Sequence, residues 1–296
     1  MRNLLKIVFS LIFIVFLLGV VFIYQKNVSL TPNLLEAKVL SNFYQYDKFP
    51  HGKELILDYF SQYSSSHQKE NKAILGGIVS HHLPLAFPLI ANFYQNLQGT
   101  NPEVVFVLGP DHFHKSSFPV ATTELPFNTP FGFLEVDKNV VENLKKENIV
   151  KIDNQVFKGE HSILSQTFFI KYLFPEAKIV PLVLQPNLDL KDAKIIADGL
   201  KPYKEKAIFI ASVDFSHYLS SADAQILDEN TKNKLENFYF ENLNIKECDS
   251  PVSLQVLFLL ARDGGYNIKI LETKNSADFS QLRDNVTGYI SAIFEK

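Results

Sequence analysis

Residues 103–112 read EVVFVLGPDH, an apolar run that stops at a Gly-Pro pair and is followed by aspartate and histidine. A continuous apolar run of this length predicts a strand that is buried on both faces of a sheet. Residues 73–82 (AILGGIVSHH) and 207–217 (AIFIASVDFSH) have the same order of apolar and then polar residues. Histidine thus follows three predicted strands in a chain that contains only eight histidines.

Segments with helical spacing alternate with the strands. They cover residues 84–97, 137–146, 162–174, 189–200, 222–243 and 251–263. Further strands are predicted over residues 178–184, 267–273 and 286–294, with a helix as the alternative for the last segment. Pro181 indicates an edge or a bulge in its strand. The alternation predicts an α/β fold, a three-layer α/β/α domain with a largely parallel central sheet.

Residues 7–24 (IVFSLIFIVFLLGVVFIY) form an uncharged apolar run. About 18 such residues can span a bilayer core, and Arg2 and Lys6 before the run predict a cytoplasmic N-terminus. A cleaved signal peptide and a buried core helix are the alternatives, but no small-x-small cleavage site follows the run. We expect residues 1–26 to be a cytoplasmic tip and a retained, single-pass transmembrane signal-anchor in the cell membrane, with the main domain extracytoplasmic.

The rest of the chain is expected to form a stalk, residues 27–50, and one domain, residues 51–296, because no Gly/Ser-rich linker or repeat divides it. Without the three basic residues of the anchor (29 less Arg2, Lys6 and Lys26), 26 basic residues face 32 acidic ones, a net charge of −6. No basic stripe is present, which argues against nucleic acid as a partner.

The histidines after the strands are expected to converge, since the carboxyl ends of strands line the ligand crevice of an open α/β sheet. His81 and His82 are adjacent and point to opposite sides, so at most one faces the crevice. His112 follows the second strand, and His114 is expected in a surface loop. For each histidine alone, a capping or core role is the alternative.

Two acidic residues accompany histidines near the predicted crevice. Asp214 and His217 are three residues apart and lie on one side of an opening turn. They predict either a general base with its orienting carboxylate or a pair that holds a metal-bound water; an N-cap aspartate with an incidental histidine is the alternative. Glu160 and His161 begin a helix and form either a pocket wall or an ordinary helix start.

The single cysteine, Cys248, lies just before a predicted helix in the segment ECDSP. A helix N-terminus favours the thiolate, the form that binds metal, and this makes Cys248 a candidate third ligand beside His81 and His112. A small buried apolar side chain is the alternative. Two imidazoles and a thiolate suit one transition-metal ion, Fe(II) or Cu first and Zn next, better than Mg or Ca.

The order of these segments resembles the MEMO family, called AmmeMemoRadiSam system protein B in prokaryotes. The segments are GIVSHH, FVLGPDH, EHSI-x-x-Q, IVPLVL, S-x-DFSHY, a cysteine before PV, and VTGY, over roughly residues 73–293. The resemblance implies a fold like that of class III extradiol dioxygenases, which use non-haem iron. It also implies a metal trio of two histidines and a cysteine, which map here to His81, His112 and Cys248.

This chain departs from the family pattern at three points. The first histidine lacks the preceding proline and the following Gly-Tyr, which leaves His82 as an alternative to His81. Asp111 replaces a serine, and the anchor is not found in soluble members. The pocket pair of the family maps to Asp214 and His217, and its EHS segment to residues 160–162.

Three functions agree with the sequence. The first is a membrane-anchored MEMO-like metalloprotein, with Asp214 and His217 serving oxidative or hydrolytic chemistry on an unidentified small molecule. The second is a non-catalytic metal- or ligand-binding module, and the third is a Zn-dependent hydrolase. The thiolate would separate the site from ordinary iron dioxygenases, which use a carboxylate.

Overall fold

The computed structural model describes residues 43–63 and 73–296. A compact unit comprises Tyr44–Lys296. The predicted signal-anchor, residues 1–26, lies outside the described residues, and within them no helix is long and apolar enough to cross a membrane. Residues 44–50 of the predicted stalk belong to the compact unit, because Tyr44, Tyr46 and Phe49 are buried in its core.

The elements of this unit alternate between strand and helix over most of its length. The strands are β1 (Tyr44–Gln45), β2 (Ile74–Val79), β3 (Val104–Pro110), β4 (Val120–Thr122), β5 (Phe127–Thr129), β6 (Gly132–Leu134), β7 (Lys151–Ile152), β8 (Lys178–Leu184), β9 (Ala207–Ser212), β10 (His217–Leu219), β11 (Asn267–Asn275) and β12 (Val286–Glu295). The α-helices are α1 (Gly52–Tyr63), α2 (Phe87–Asn96), α3 (Lys138–Lys146), α4 (His161–Leu173), α5 (Leu190–Leu200), α6 (Ser221–Glu236) and α7 (Pro251–Gly264).

A nine-stranded mixed sheet forms the centre of the unit, in the order β10-β12-β2-β9-β3-β8-β4-β7 with β11 beside β12. Its four middle strands, β2, β9, β3 and β8, are parallel. Antiparallel pairs flank them, β12 with β2 and β4 with β8. A separate small sheet has the order β1-β5-β6. The fold is therefore α/β, and parallel pairing is confined mainly to the strands that carry the histidines.

Helices cover both faces of the sheet. The Phe106 ring on β3 stacks on Phe209 and lies 5.5 Å from the ring of Tyr203, just after α5. A Cβ added to Gly109 on the same strand would lie 2.7 Å from Ser162 Cβ in α4. Positions three apart on a strand face opposite sides. Helix α4 therefore packs on one face, and the end of α5, whose helix contacts α7, packs on the other.

Some elements differ from the sequence-based expectation for identifiable reasons. Strand β8 lies inside the sheet despite Pro181. This is possible because the neighbouring strand β4 pairs only with Val183 and Leu184, so no backbone hydrogen bond from β4 is required at Pro181, which has no N–H to donate. The Pro181 carbonyl accepts a hydrogen bond from Thr122 Oγ1 instead. Helix α6 ends at Glu236, before the predicted residue 243, and Phe238 has a positive φ of 57°.

Candidate metal centre

Three neighbouring parallel strands deliver polar side chains to one edge of the sheet. Strand β2 leads into His81, β3 leads into His112, and β9, which lies between them, leads into Asp214. Because all three strands run in the same direction, their carboxyl ends meet at this edge. The rings of His81 and His112 are 4.9 Å apart between centroids. The structure thus brings together the two histidines that the sequence assigned to a common crevice.

Each of these imidazoles has one nitrogen fixed by the protein. His81 Nδ1 is 3.2 Å from the carbonyl oxygen of Ser212, which can only accept, so this nitrogen carries the proton. His112 Nδ1 is 2.7 Å from Glu160 Oε1. In both rings Nε2 is left to face the centre of the site. A carbonyl or carboxylate on the second nitrogen is how proteins orient metal-binding histidines.

Glu160 also fixes the start of helix α4. Its side chain accepts hydrogen bonds from the backbone N–H and the hydroxyl of Ser162, at 3.0 and 2.9 Å, and thereby caps the helix. Its other oxygen accepts the backbone N–H of His112 at 3.0 Å. Burial alone would raise the pKa of Glu160, but the hydrogen bond and charge of His112 outweigh it and lower the pKa. The Glu160 carboxylate is therefore an ionised support for His112.

Asp249, which the sequence did not single out, lies between the two free nitrogens. Its Oδ2 is 3.2 Å from His81 Nε2 and 3.5 Å from His112 Nε2. Its Oδ1 accepts the backbone N–H of Asp214 at 3.2 Å, which orients the carboxylate. Oδ2 is buried and has no donor in hydrogen-bond geometry within the described residues. The Nε2 atoms of protonated His81 and His112 balance the charge of this oxygen, but in poor hydrogen-bond geometry. A cation held between the same three atoms would satisfy the buried carboxylate more directly.

These separations fit a bound transition metal. Two ligand atoms roughly 2.1 Å from one ion lie about 3.0–3.5 Å apart when the angle between them is that of an octahedral or tetrahedral site. The ligand atoms of His81, Asp214 and Asp249 all lie within 4.8 Å of one another, and so do those of His81, His112 and His161. Two overlapping groups of possible ligands thus share His81, and Asp249 Oδ2 is close to both free imidazole nitrogens.

His161 forms one wall of this centre. Its ring stacks on His112 with centroids 4.1 Å apart and meets His81 edge-on at 5.1 Å. Burial lowers the pKa of His161 to about 3, and the charges of His81 and His112 act in the same direction. The imidazole is therefore neutral at physiological pH. Its Nδ1 is buried with no hydrogen-bond partner among the described residues, so it keeps a polar atom available to a ligand.

Asp214 is held beside His81 by the end of strand β2. Its Oδ1 accepts the Ser80 hydroxyl at 2.5 Å and the backbone N–H of His81 at 3.3 Å. Its Oδ2 is 3.4 Å from His81 Nε2. His217, its predicted partner, lies on β10 opposite Thr287 and belongs to neither group of possible ligands in the described chain. Of this predicted pair, only Asp214 lines the centre.

Cys248 does not take the place that the sequence assigned to it. It belongs to neither group of possible ligands in the part of the chain that the structure describes. Its side chain is packed in the hydrophobic core, and this burial raises the pKa of the thiol well above its usual value. Asp249, the next residue, has its side chain beside His81 and His112 instead. The segment before α7 therefore directs Asp249 into the centre and Cys248 away from it.

His82 points away from the centre, as expected for the neighbour of His81. Its Nδ1 is 2.7 Å from the hydroxyl of Tyr289 on β12. Burial lowers the pKa of His82. Its backbone N–H donates to the Ser80 hydroxyl at 3.0 Å, and that hydroxyl in turn donates to Asp214. His82 thus supports the position of Asp214 from outside the centre.

The carboxylates of the centre alter the pKa values of its histidines, and they favour positive charge on these imidazoles or on an ion bound in their place. Burial alone would lower the pKa of His81 and of His112, but the neighbouring carboxylates outweigh it and raise both, His112 to about 10. Around His112 these carboxylates are Asp249 and Glu160. The pKa of Asp249 is held well below its usual range despite burial, by His81 and His112. Without a metal, protonated imidazoles supply the positive charge that the carboxylates require.

Comparisons with known proteins show which protein family the sequence resembles. The sequence model described as Memo-like protein matches residues 38–293. A MEMO1 family protein of Pyrobaculum aerophilum is 34% identical over 238 residues, which cover 74% of this chain and 83% of the relative. A MEMO1 family protein of Caldivirga maquilingensis is 26% identical over 247 residues, 79% of this chain and 88% of the relative.

One solved structure shares the fold. It is an uncharacterised protein of Escherichia coli K12, with a TM-score of 0.51 and 14% sequence identity over 74% of this chain and 99% of that chain. At this identity the likeness concerns the fold alone.

The raised pKa of His112 predicts a pH-dependent contribution to the stability of the metal-free protein. Stabilisation by a group whose folded pKa is raised is complete below the unfolded pKa of about 6.5 and is lost as pH rises through the folded pKa. The His112→Asn variant lacks this group. We expect the difference in the free energy of unfolding between wild type and variant to shrink as pH rises from 6.5 towards about 10.

Urea denaturation of chelator-treated wild type and variant at several pH values measures this difference. A difference that stays constant between pH 6.5 and 10 would show that His112 is not protonated in the metal-free fold.

Proposed function

The chain belongs to the Memo-like protein family, and from this premise we propose that it is a metalloprotein whose ion is held by His81, His112 and Asp249. The observation that carries the proposal is the buried Asp249 Oδ2, which has no hydrogen-bond donor among the described residues and lies 3.2 and 3.5 Å from two imidazole nitrogens. Both nitrogens belong to rings whose other nitrogen is fixed by an acceptor.

The chemistry of the donor set favours iron. Two histidines and one carboxylate are the ligands of non-haem Fe(II) oxygenases, whereas the thiolate expected from the sequence favoured copper as well. Bound there, the ion would supply electrons to dioxygen or Lewis acidity to a substrate oxygen. Fe(II) is therefore the proposed native ion, with Zn as the alternative that would indicate a hydrolytic or purely binding role.

The surrounding residues have separate tasks in this proposal. Glu160 holds His112 in one tautomer, and the Ser212 carbonyl does the same for His81. His161 remains neutral and stacks on His112, so its half-buried ring forms the wall that a substrate would contact. Asp214 keeps its carboxylate next to His81, where it could receive a proton that the substrate or water loses.

Exchange of Asp249 for asparagine tests the ligand set most directly. Asp249→Asn keeps the size of the side chain but removes its charge, so we expect the affinity for Fe(II) or Zn to fall more than about 100-fold, beyond the usual effect of losing an outer support. Cys248→Ala is the matched control on the neighbouring residue, and its affinity should stay near that of wild type. Calorimetric titration of both metals, with circular dichroism as a check of folding, measures the result.

The opposite pattern, with metal lost in Cys248→Ala and retained in Asp249→Asn, would restore the ligand set implied by the family and overturn the one proposed here.

The oxidative part of the proposal requires open positions on the ion. Nitric oxide is a stable probe for dioxygen sites, so the anaerobically iron-loaded protein should give a nitrosyl electron-paramagnetic-resonance signal. We expect the signal to disappear in His112→Ala, because the ion is then no longer held. Iron-loaded wild type that binds no nitric oxide would favour a binding role instead.

Residues 7–24 carry the further proposal that the protein is anchored in a membrane with its folded unit outside the cytoplasm. The support is the uncharged run of about 18 residues with Arg2 and Lys6 before it. After carbonate extraction of cells that produce the full chain, we expect the protein in the membrane pellet. Deletion of residues 1–42 should move it to the soluble fraction, whereas a full chain that is itself extracted by carbonate would contradict the anchor.

A further inference from the structure

Within the described part of the chain, the side chains of the metal centre differ in their exposure to solvent. The side chains of His112, His161 and Asp249 are 22%, 29% and 13% exposed, whereas those of His81 and Asp214 are 1% and 5% exposed. Solvent and any small molecule therefore approach from the side of His112 and His161. The residues that follow His112 in the chain provide the side chains that line this opening.

Phe113 lies at this opening. Its ring is 45% exposed and its centroid is 6.2 Å from that of His161. What distinguishes this ring from other exposed apolar side chains, such as Phe133, is its place beside His161 at the metal centre. A flat apolar surface next to a metal site is suited to contact with the flat apolar part of a ligand.

The ammonium group of a lysine lies over the same ring. Lys115 Nζ lies 4.5 Å from the centroid of the Phe113 ring and donates a hydrogen bond to the carbonyl oxygen of Lys158 at 3.1 Å. The Asp111 carboxylate is engaged by the backbone N–H groups of Lys115 and Ser116, and among the described residues no carboxylate forms an ion pair with Lys115 Nζ. The ammonium group thus keeps donors free for an anion at a defined place.

We propose that the opening selects a small molecule with a flat apolar body and one anionic group, with Phe113 contacting the body and Lys115 pairing with the anion. The inference rests on the proposed metal centre for its place in the reaction but not for its contacts, which involve neither ligand residues nor the ion. Phe113 and Lys115 are thus specificity residues that act on the substrate outside the metal shell.

The full-length protein, with and without Zn, tests this with benzoate as the probe and benzylamine as the probe of opposite charge. We expect saturable benzoate binding by nuclear magnetic resonance titration and at least about tenfold weaker binding of benzylamine. Phe113→Ala should weaken benzoate binding about fivefold and Lys115→Met about threefold. Phe133→Ala, a ring that is 46% exposed on β6, and Lys138→Met on α3 are the matched controls and should bind as wild type does.

Equal binding of the two probes, or benzoate binding unchanged in both Phe113→Ala and Lys115→Met, would overturn the inference. Benzoate binding that is weakened by both variants in the metal-depleted protein as well would uphold the inference, even if the titrations with Fe(II) and Zn show no metal binding. Metal binding through Asp249 together with no benzoate binding would overturn this inference alone and leave the metal centre standing.

Discussion

The parallel pairing of β2, β9 and β3 is the constraint on which the metal centre depends. Since the three strands run side by side in one direction, each needs only a few residues beyond its last hydrogen bond to reach the same place. The register is fixed by apolar side chains that are buried on both faces of the sheet. A slip of one residue would turn every side chain of a strand to the other face. The geometry of His81 and His112 is therefore set by the packing of the core.

Much of this arrangement could be predicted from the sequence, because buried strands and their polar exits leave strong local patterns. The convergence of His81, His112 and Glu160 follows from these patterns and is seen in the structure, and the family assignment is confirmed. Asp249, the ligand proposed above, could not be singled out from the sequence, because an aspartate before Ser-Pro at a helix start resembles an ordinary cap and the adjacent single cysteine matched the ligand implied by the family. Its position beside His81 and His112 depends on how the turn before α7 folds back onto the sheet edge, which local patterns do not contain.

The beginning of the folded unit was placed too late for a related reason. Residues 44–47 (YQYD) alternate aromatic and polar residues, a strand-like pattern, but Lys48 and Pro50 follow them and the whole stretch 27–50 resembles a stalk. Tyr44 hydrogen-bonds Thr123, 79 residues away in the chain, and its ring packs at a tilt against those of Phe127 and Phe157. Such contacts depend on the positions of distant segments, which local patterns do not contain. The interior position of Pro181 was hidden in the same way, since it depends on where β4 stops.

Glu160 has two structural roles, one at a helix end and one at the metal site. Its carboxylate both caps helix α4 and orients His112, so the helix cannot begin elsewhere without releasing the imidazole. During folding, the ligand geometry can therefore be complete only after the first turn of α4 has formed on the sheet. The proposed ion would therefore be captured late in assembly, because a chain without this helix turn lacks the carboxylate that holds His112. In evolution, the start of this helix and the metal site can change only together.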